Sequence, residues 1–152
     1  MERDRIEACY RKLLAAWNRR DAGGFAALFT EDGSAVAFDG SAMNSRAEIA
    51  STLSTVFQNE LTGIYAASIS DVREVAPGVV LLRAIVGTIP SDSFDLNLMV
   101  KATQSVVFVE REGDAKVALL QSTPAAFHGR SEVAELLSLE LEQIRHSQRL
   151  KH

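Results

Sequence analysis

SVVFVEREGDAKVALLQSTPAAFHGRSEVAELL, residues 105–137, holds three kinds of local signal in one run. Two apolar, strand-like stretches flank Gly113-Asp114. The second is broken at Pro124 and Gly129, and from Ser131 the apolar residues return at helical spacing as far as Ile144. With Gly113-Asp114 as a two-residue hairpin loop, Glu112 faces Ala115, Val107 faces Leu120 and Ser105 faces Ser122 on one side of the sheet. Val106 opposite Gln121 and Gln104 opposite Thr123 then share the other side. Large apolar residues lie on both sides, so this sheet needs two coverings.

Upstream, the period of two extends over 64–75, 78–89, 98–111 and 116–123, with Pro77-Gly78 and Pro90-Ser91-Asp92 as breaks. Before residue 64 the pattern is helical. Ile6, Tyr10, Leu13, Leu14 and Trp17 form one stripe. Asp21 caps a short helix from Ala22 to Phe29, and Asp32-Gly33 turns into a strand, SAVAF, that ends at Asp39-Gly40. Ser45-Arg46-Ala47-Glu48 fits a capping box, opening a helix with Ile49, Leu53, Val56 and Phe57 on one face. The tail from residue 145, RHSQRLKH, is polar and expected to fray. Helices first and antiparallel strands afterwards give an α+β fold with the early helices on one sheet face. A partner subunit is the economical covering for the other. The expectation is a homodimer through an outer face carrying Val106, Gln121, Gln104 and Thr123.

A chain of 152 residues fits one domain spanning 1–152, and folding at this length buries enough surface to need neither disulfide nor metal. The single Cys9, on the apolar side of its helix, reads as core. A net charge of −4 offers nucleic acid no broad electrostatic footprint. MERDRIEACY has no apolar leader core, and Arg83 interrupts VVLLRAIVG well short of a membrane span, so the expected location is cytoplasmic.

AWNRRDAGGFAALFTEDGS (16–34), SRAEI (45–49) and the 105–132 stretch together resemble the nuclear transport factor 2-like superfamily, with its cystatin-type cone. Within it, Q-x-T-x-A-x-x-x-G-R from Gln121 to Arg130 is most similar to the SgcJ/EcaC family, related to SnoaL-like proteins. Ser45 stands where that pattern usually has glycine, and Ala115 where it usually has tryptophan. The resemblance implies a cone-shaped curved antiparallel sheet, N-terminal helices on its concave face, an added C-terminal helix, and a pocket between helices and sheet. It also implies a small organic ligand, hydrophobic or polyketide-like, with the chain an enzyme or accessory protein. The alternative is a non-catalytic ligand-binding or homo-oligomerisation module. Aligned on the ketosteroid isomerases, the phenol donor falls at Leu13, the base at Ala37 and the protonated carboxyl near Val107. None of these moves a proton, so that mechanism is excluded. The same alignment puts Thr103, Ser105, Leu120 and Ser122 toward the pocket, and Gln104 and Gln121 away from it.

Trp17 reads either as core or as an aromatic pocket wall. Ser105 and Ser122 read as a cross-strand hydroxyl pair, explained either by packing and solvation or by hydrogen bonding to a ligand, and Leu120 is expected beside them in the ligand site. Arg83 is either a solvated or ion-paired arginine or an anion clamp. Asp39 and Tyr65 are the only candidates for catalysis: Asp39 competes with a turn role, and Tyr65 is either a buried donor or an outer-face packing residue. His128 reads as a surface or helix-start residue, with His146 and His152 in the tail. No H-x-x-x-H, C-x-x-C or carboxylate cluster has ligand spacing, and Gly23-Gly24 lacks the lysine of a phosphate loop, so no metal or cofactor is expected.

Overall fold

The computed structural model describes residues 2–37, 39–60, 62–89, 100–125 and 131–150. The expected turn at Pro90-Ser91-Asp92, the strand start at 98–99, His128, Gly129, His152 and the capping side chain of Ser131 lie outside what is described.

The first helix, α1 (Arg3–Asn18), buries Ile6, Cys9, Tyr10, Leu13 and Leu14, the stripe that its spacing dictates. Arg20 then takes a left-handed conformation, φ 62°, which is costly for a residue with a Cβ. Its guanidinium is tied down: it donates to the carbonyl oxygens of Phe57 and of Glu60 (2.6 Å) and to Thr62 Oγ1 (3.0 Å), over the Phe57 ring. Asp21 caps α2 (Ala22–Ala26) by accepting from the Gly24 N–H at 2.9 Å. A Cβ on Gly24 would sit 2.3 Å from that carboxylate, so a larger residue there would displace the capping side chain.

This helix does not reach Phe29 as expected. Val117 N–H donates to Leu28 O at 2.8 Å, and Phe29 pairs with Val117, so β1 (Phe29–Val36) starts where helical spacing alone would continue. Non-local pairing outweighs a weak five-residue helix. Asp32-Gly33 is accordingly inside β1, at a register shift, and a Cβ on Gly33 would meet Val117 O at 2.9 Å. The chain turns at Asp39-Gly40 into the short β2 (Ala42–Met43). Ser45 caps α3 (Arg46–Asn59), its hydroxyl accepting from Glu48 N–H at 3.0 Å. The reciprocal half of the box shifts by one residue: Glu48 accepts from Asn44 N–H at 3.2 Å, not from Ser45.

Four strands follow: β3 (Ile64–Ala76), β4 (Val79–Ile89), β5 (Val100–Arg111) and β6 (Asp114–Pro124). They join β1 and β2 in one six-stranded sheet, ordered β2-β1-β6-β5-β4-β3, antiparallel except for the β1–β6 pair.

The β5–β6 register differs from expectation. The turn residues are Glu112 and Gly113, both with positive φ (54° and 82°), and Arg111 pairs with Asp114. Two positive φ angles suit the twist of a two-residue hairpin, and the glycine satisfies one of them. A bulge follows, with Val107 opposite Leu119 and Phe108 opposite Val117, leaving Ala118 as the extra residue. The pairs are therefore Val106–Leu120, Gln104–Ser122, Ser105–Gln121 and Thr103–Thr123.

Those pairs exchange the two faces assigned to β5. Val106 and Phe108 join Val80, Leu82, Ala84, Val117 and Leu120 in one core with Ile6, Leu13, Ile49 and Leu53 from the helices. Val106 has no exposed surface and Gln104 only 3%. Of the residues expected to meet a partner, Val106 and Gln104 thus belong to the helix-covered interior, whereas Gln121 and Thr123 lie on the outer face with Thr103, Ser105 and Val107. Part of that outer face is covered by the chain itself. In α4 (Ser131–Leu150), Leu141 packs on Ala66 with Ile144 beside it, and Ser68 Oγ donates to Glu140 at 2.9 Å. The helix includes the polar segment from residue 145 as far as Leu150, a segment whose Arg, Gln and Leu favour helix. Among the described residues, no helix is long and apolar enough to cross a membrane.

Candidate functional site

Polar groups are rare in this interior. Among the described residues, the buried polar residues other than tyrosine are Thr30, Gln104 and Ser138, and none of them carries a charge. Gln104 stands in the Ala102, Gln104, Val106, Phe108 row of β5, where every second residue is buried. Tyr10 on α1 donates its phenol hydrogen to Gln104 Oε1 at 2.6 Å. Gln104 Nε2 in turn donates to Ser122 Oγ at 3.2 Å, across the β5–β6 pair. The result is a hydrogen-bonded chain from a fully buried phenol, through a buried amide, to a half-buried hydroxyl. Loss of hydration on burial pushes the Tyr10 phenol far above its usual range, and neighbouring Tyr65 adds to this. At ordinary pH, Tyr10 is a neutral donor.

A second group stands on the same side of the sheet. Trp17 makes edge contacts with Phe57 (ring centroids 5.2 Å), Tyr65 (5.4 Å) and Phe25 (5.8 Å). Its indole N–H donates to Gly63 O at 3.1 Å, so the ring presents only its apolar surface to other groups. Asn18 grips the next turn of chain: its Nδ2 donates to Tyr65 O at 3.0 Å, and its Oδ1 accepts from Tyr65 N–H at 2.9 Å. These two bonds imitate a strand neighbour and fix where Tyr65 leaves the helices. The Tyr65 phenol is raised by burial, partly offset by a hydrogen bond with the Thr88 side chain.

The residues singled out from the sequence are distributed differently from their expected grouping. Ser122 and Leu120 face the helices, as does Tyr65, which is therefore on the concave rather than the outer side. Ser105 faces Gln121 on the outer face, so the expected Ser105–Ser122 pair does not exist. Arg83 lies exposed on the outer face between Asp71 and Ser105. Asp39 is exposed, and its carboxylate accepts from the Ser41 N–H (2.9 Å) and from the Ser41 hydroxyl. Those bonds hold it below the usual carboxylate range, as turn chemistry requires and unlike a poised base. Tyr10 and Gln104 were missed as site residues. Gln104 left a readable trace, as a lone amide at a parity otherwise filled by Ala102, Val106 and Phe108.

No family model matches the chain, and no curated protein matches it. Solved structures do. A domain of unknown function with a cystatin-like fold from Nostoc punctiforme is 22% identical, with a TM-score of 0.75 over 99% of this chain and 96% of its own. A ketosteroid isomerase-like protein from Erwinia carotovora is 18% identical, with a TM-score of 0.67 over 81% of this chain and 95% of its own. An NTF-2-like protein of unknown function from Shewanella oneidensis is 12% identical, with a TM-score of 0.67 over 81% of this chain and 99% of its own. At such identities the likeness concerns fold. The chain has the cystatin-like, nuclear transport factor 2-like α+β fold.

Proposed function

We propose that this chain is a small-molecule pocket protein of SgcJ/EcaC or SnoaL-like type, holding a hydrophobic, polyketide-like metabolite against the concave sheet face. The observation that carries the reading is the Tyr10–Gln104–Ser122 chain, which ends in a half-buried hydroxyl beside apolar surface. A site of mainly apolar walls with a few fixed polar groups is what a small organic ligand requires. The Q-x-T-x-A-x-x-x-G-R motif supports the family, and the name of the isomerase-like neighbour fits the same use of the fold. The role proposed is binding and orientation: both phenols are held neutral by burial, and Asp39 is engaged in its turn. Native mass spectrometry of protein purified from its source organism should detect a retained ligand of a few hundred daltons. A spectrum of bare protein, together with no response of Trp17 emission to neutral naphthalene derivatives, would overturn the reading.

Homodimerisation is a second reading, favoured by the outer row Leu81–Val107–Leu119, half-exposed across three strands. Thr103, Ser105, Gln121 and Thr123 border it, and each both donates and accepts hydrogen bonds. Such a surface matches a two-fold copy of itself. The occupant proposed is therefore a second copy of this chain.

A further inference from the structure

We infer that the ligand of the concave site is uncharged and carries a hydrogen-bond acceptor, such as a ketone oxygen, that receives the Ser122 hydroxyl hydrogen. The inference rests on the ligand-binding reading above and adds the chemical class. Its basis is the direction of the buried hydrogen-bond chain. Tyr10 has one hydrogen, and it goes to Gln104 Oε1. That bond orients the amide with its oxygen toward the phenol, whereas a reversed amide would direct an N–H at the phenol and take this acceptor from the Tyr10 hydrogen. With Oε1 toward Tyr10, Gln104 Nε2 is directed at Ser122, whose oxygen is the acceptor at 3.2 Å. Ser122 therefore meets its own side of the chain as an acceptor, and its hydrogen points onward. Each bond in such a series polarises the next, so this hydroxyl is a better donor than an isolated one.

The charge of the ligand follows from what surrounds that hydroxyl. Among the described residues no aspartate, glutamate, lysine or arginine belongs to the buried core, and the polar groups joined to Ser122 are the Gln104 amide and, through it, the Tyr10 hydroxyl. A carboxylate or ammonium brought here would lose its hydration with no opposite charge to replace it. The same loss already opposes ionisation of Tyr10 and Tyr65. A neutral acceptor gains the Ser122 bond without that penalty. Gln104 and Tyr10 act through Ser122, as positioning residues.

Three probes sharing one ring system test this on the full chain by titration calorimetry: 2-acetylnaphthalene, 2-ethylnaphthalene and 2-naphthoate. The ketone should bind about fivefold tighter than the hydrocarbon, the effect of one added hydrogen bond, and the carboxylate weakest of the three. Ser122→Ala should abolish the preference for the ketone over the hydrocarbon when both are measured on that same variant, while Ser122→Thr, which keeps the hydroxyl, should restore the difference. Equal affinity for ketone and hydrocarbon in the unmodified protein, or a difference that survives Ser122→Ala, would overturn the donor assignment. Tightest binding by naphthoate would overturn the neutral class. In either case the pocket itself stands, whereas failure of all three probes to bind overturns the pocket and this inference together.

Discussion

Gln104 is a residue whose worth depends entirely on its neighbours. Buried beneath α1, it is stable only because Tyr10 and Ser122 satisfy both ends of its amide. Tyr10→Phe should therefore cost about 1–3 kcal/mol in denaturant unfolding, since Gln104 Oε1 is left buried without a donor. Adding Gln104→Leu to that variant should recover part of the loss, because the unpaired buried amide is then gone and the half-buried Ser122 hydroxyl can turn to water. A double variant less stable than the sum of the single changes would show that the amide has another partner. The two tyrosines also set an alkaline limit. Both phenols are raised in the folded state, while an unfolded tyrosine ionises near pH 10. Their contribution to stability is fully present below about pH 10 and is lost as pH rises, because the unfolded chain then releases protons that the folded one keeps. As these are the only tyrosines in the chain, absorbance at 295 nm should report ionisation and unfolding as one transition. Phenol ionisation with the fold intact would contradict the burial of both.

At the scale of elements, ends and joints were the most informative places. Ser45 was readable from a four-residue pattern because capping is local, and its hydroxyl does hold Glu48 N–H. Ser45→Ala should lower unfolding stability by about 0.5–2 kcal/mol, read from the denaturation midpoint. The end of α2 was not readable, because the partner that converts Phe29 to strand is Val117, far along the chain. The same holds for the joint between α1 and β3. Trp17, Asn18 and Arg20 spend their polar groups on the backbone between Phe57 and Tyr65, a role that no helical wheel displays. Asn18→Ala should loosen Tyr65 and cost about 1–3 kcal/mol, with faster amide exchange at Tyr65 as its local signature. Unchanged exchange there would show that the strand ladder alone holds this residue.

For the whole molecule, the decisive quantity is which side of the sheet each strand residue takes. Val106 and Val107 are adjacent, yet one is sealed under the helices and the other is half-exposed on the outer face. Val106→Asp should unfold the protein, because an unpaired carboxylate in that core costs several kcal/mol. Val107→Asp should keep the fold, as judged by circular dichroism, and convert the proposed dimer to a monomer in sedimentation velocity. A folded monomer for the unmodified chain at micromolar concentration would remove the dimer reading. The α+β class, the helices α1 and α3, the four later strands, and the need for cover on both sheet faces were determined by the sequence alone, since periodicity and turn chemistry act over a few residues. Only the tertiary structure decided that the hairpin turns at Glu112-Gly113, that Ala118 bulges, and that α4 supplies part of the second covering. The physical reason is the two-residue period of a strand. A slip of one residue moves every side chain to the opposite face, and nothing within the strand itself opposes it until the helices and neighbouring strands are in place.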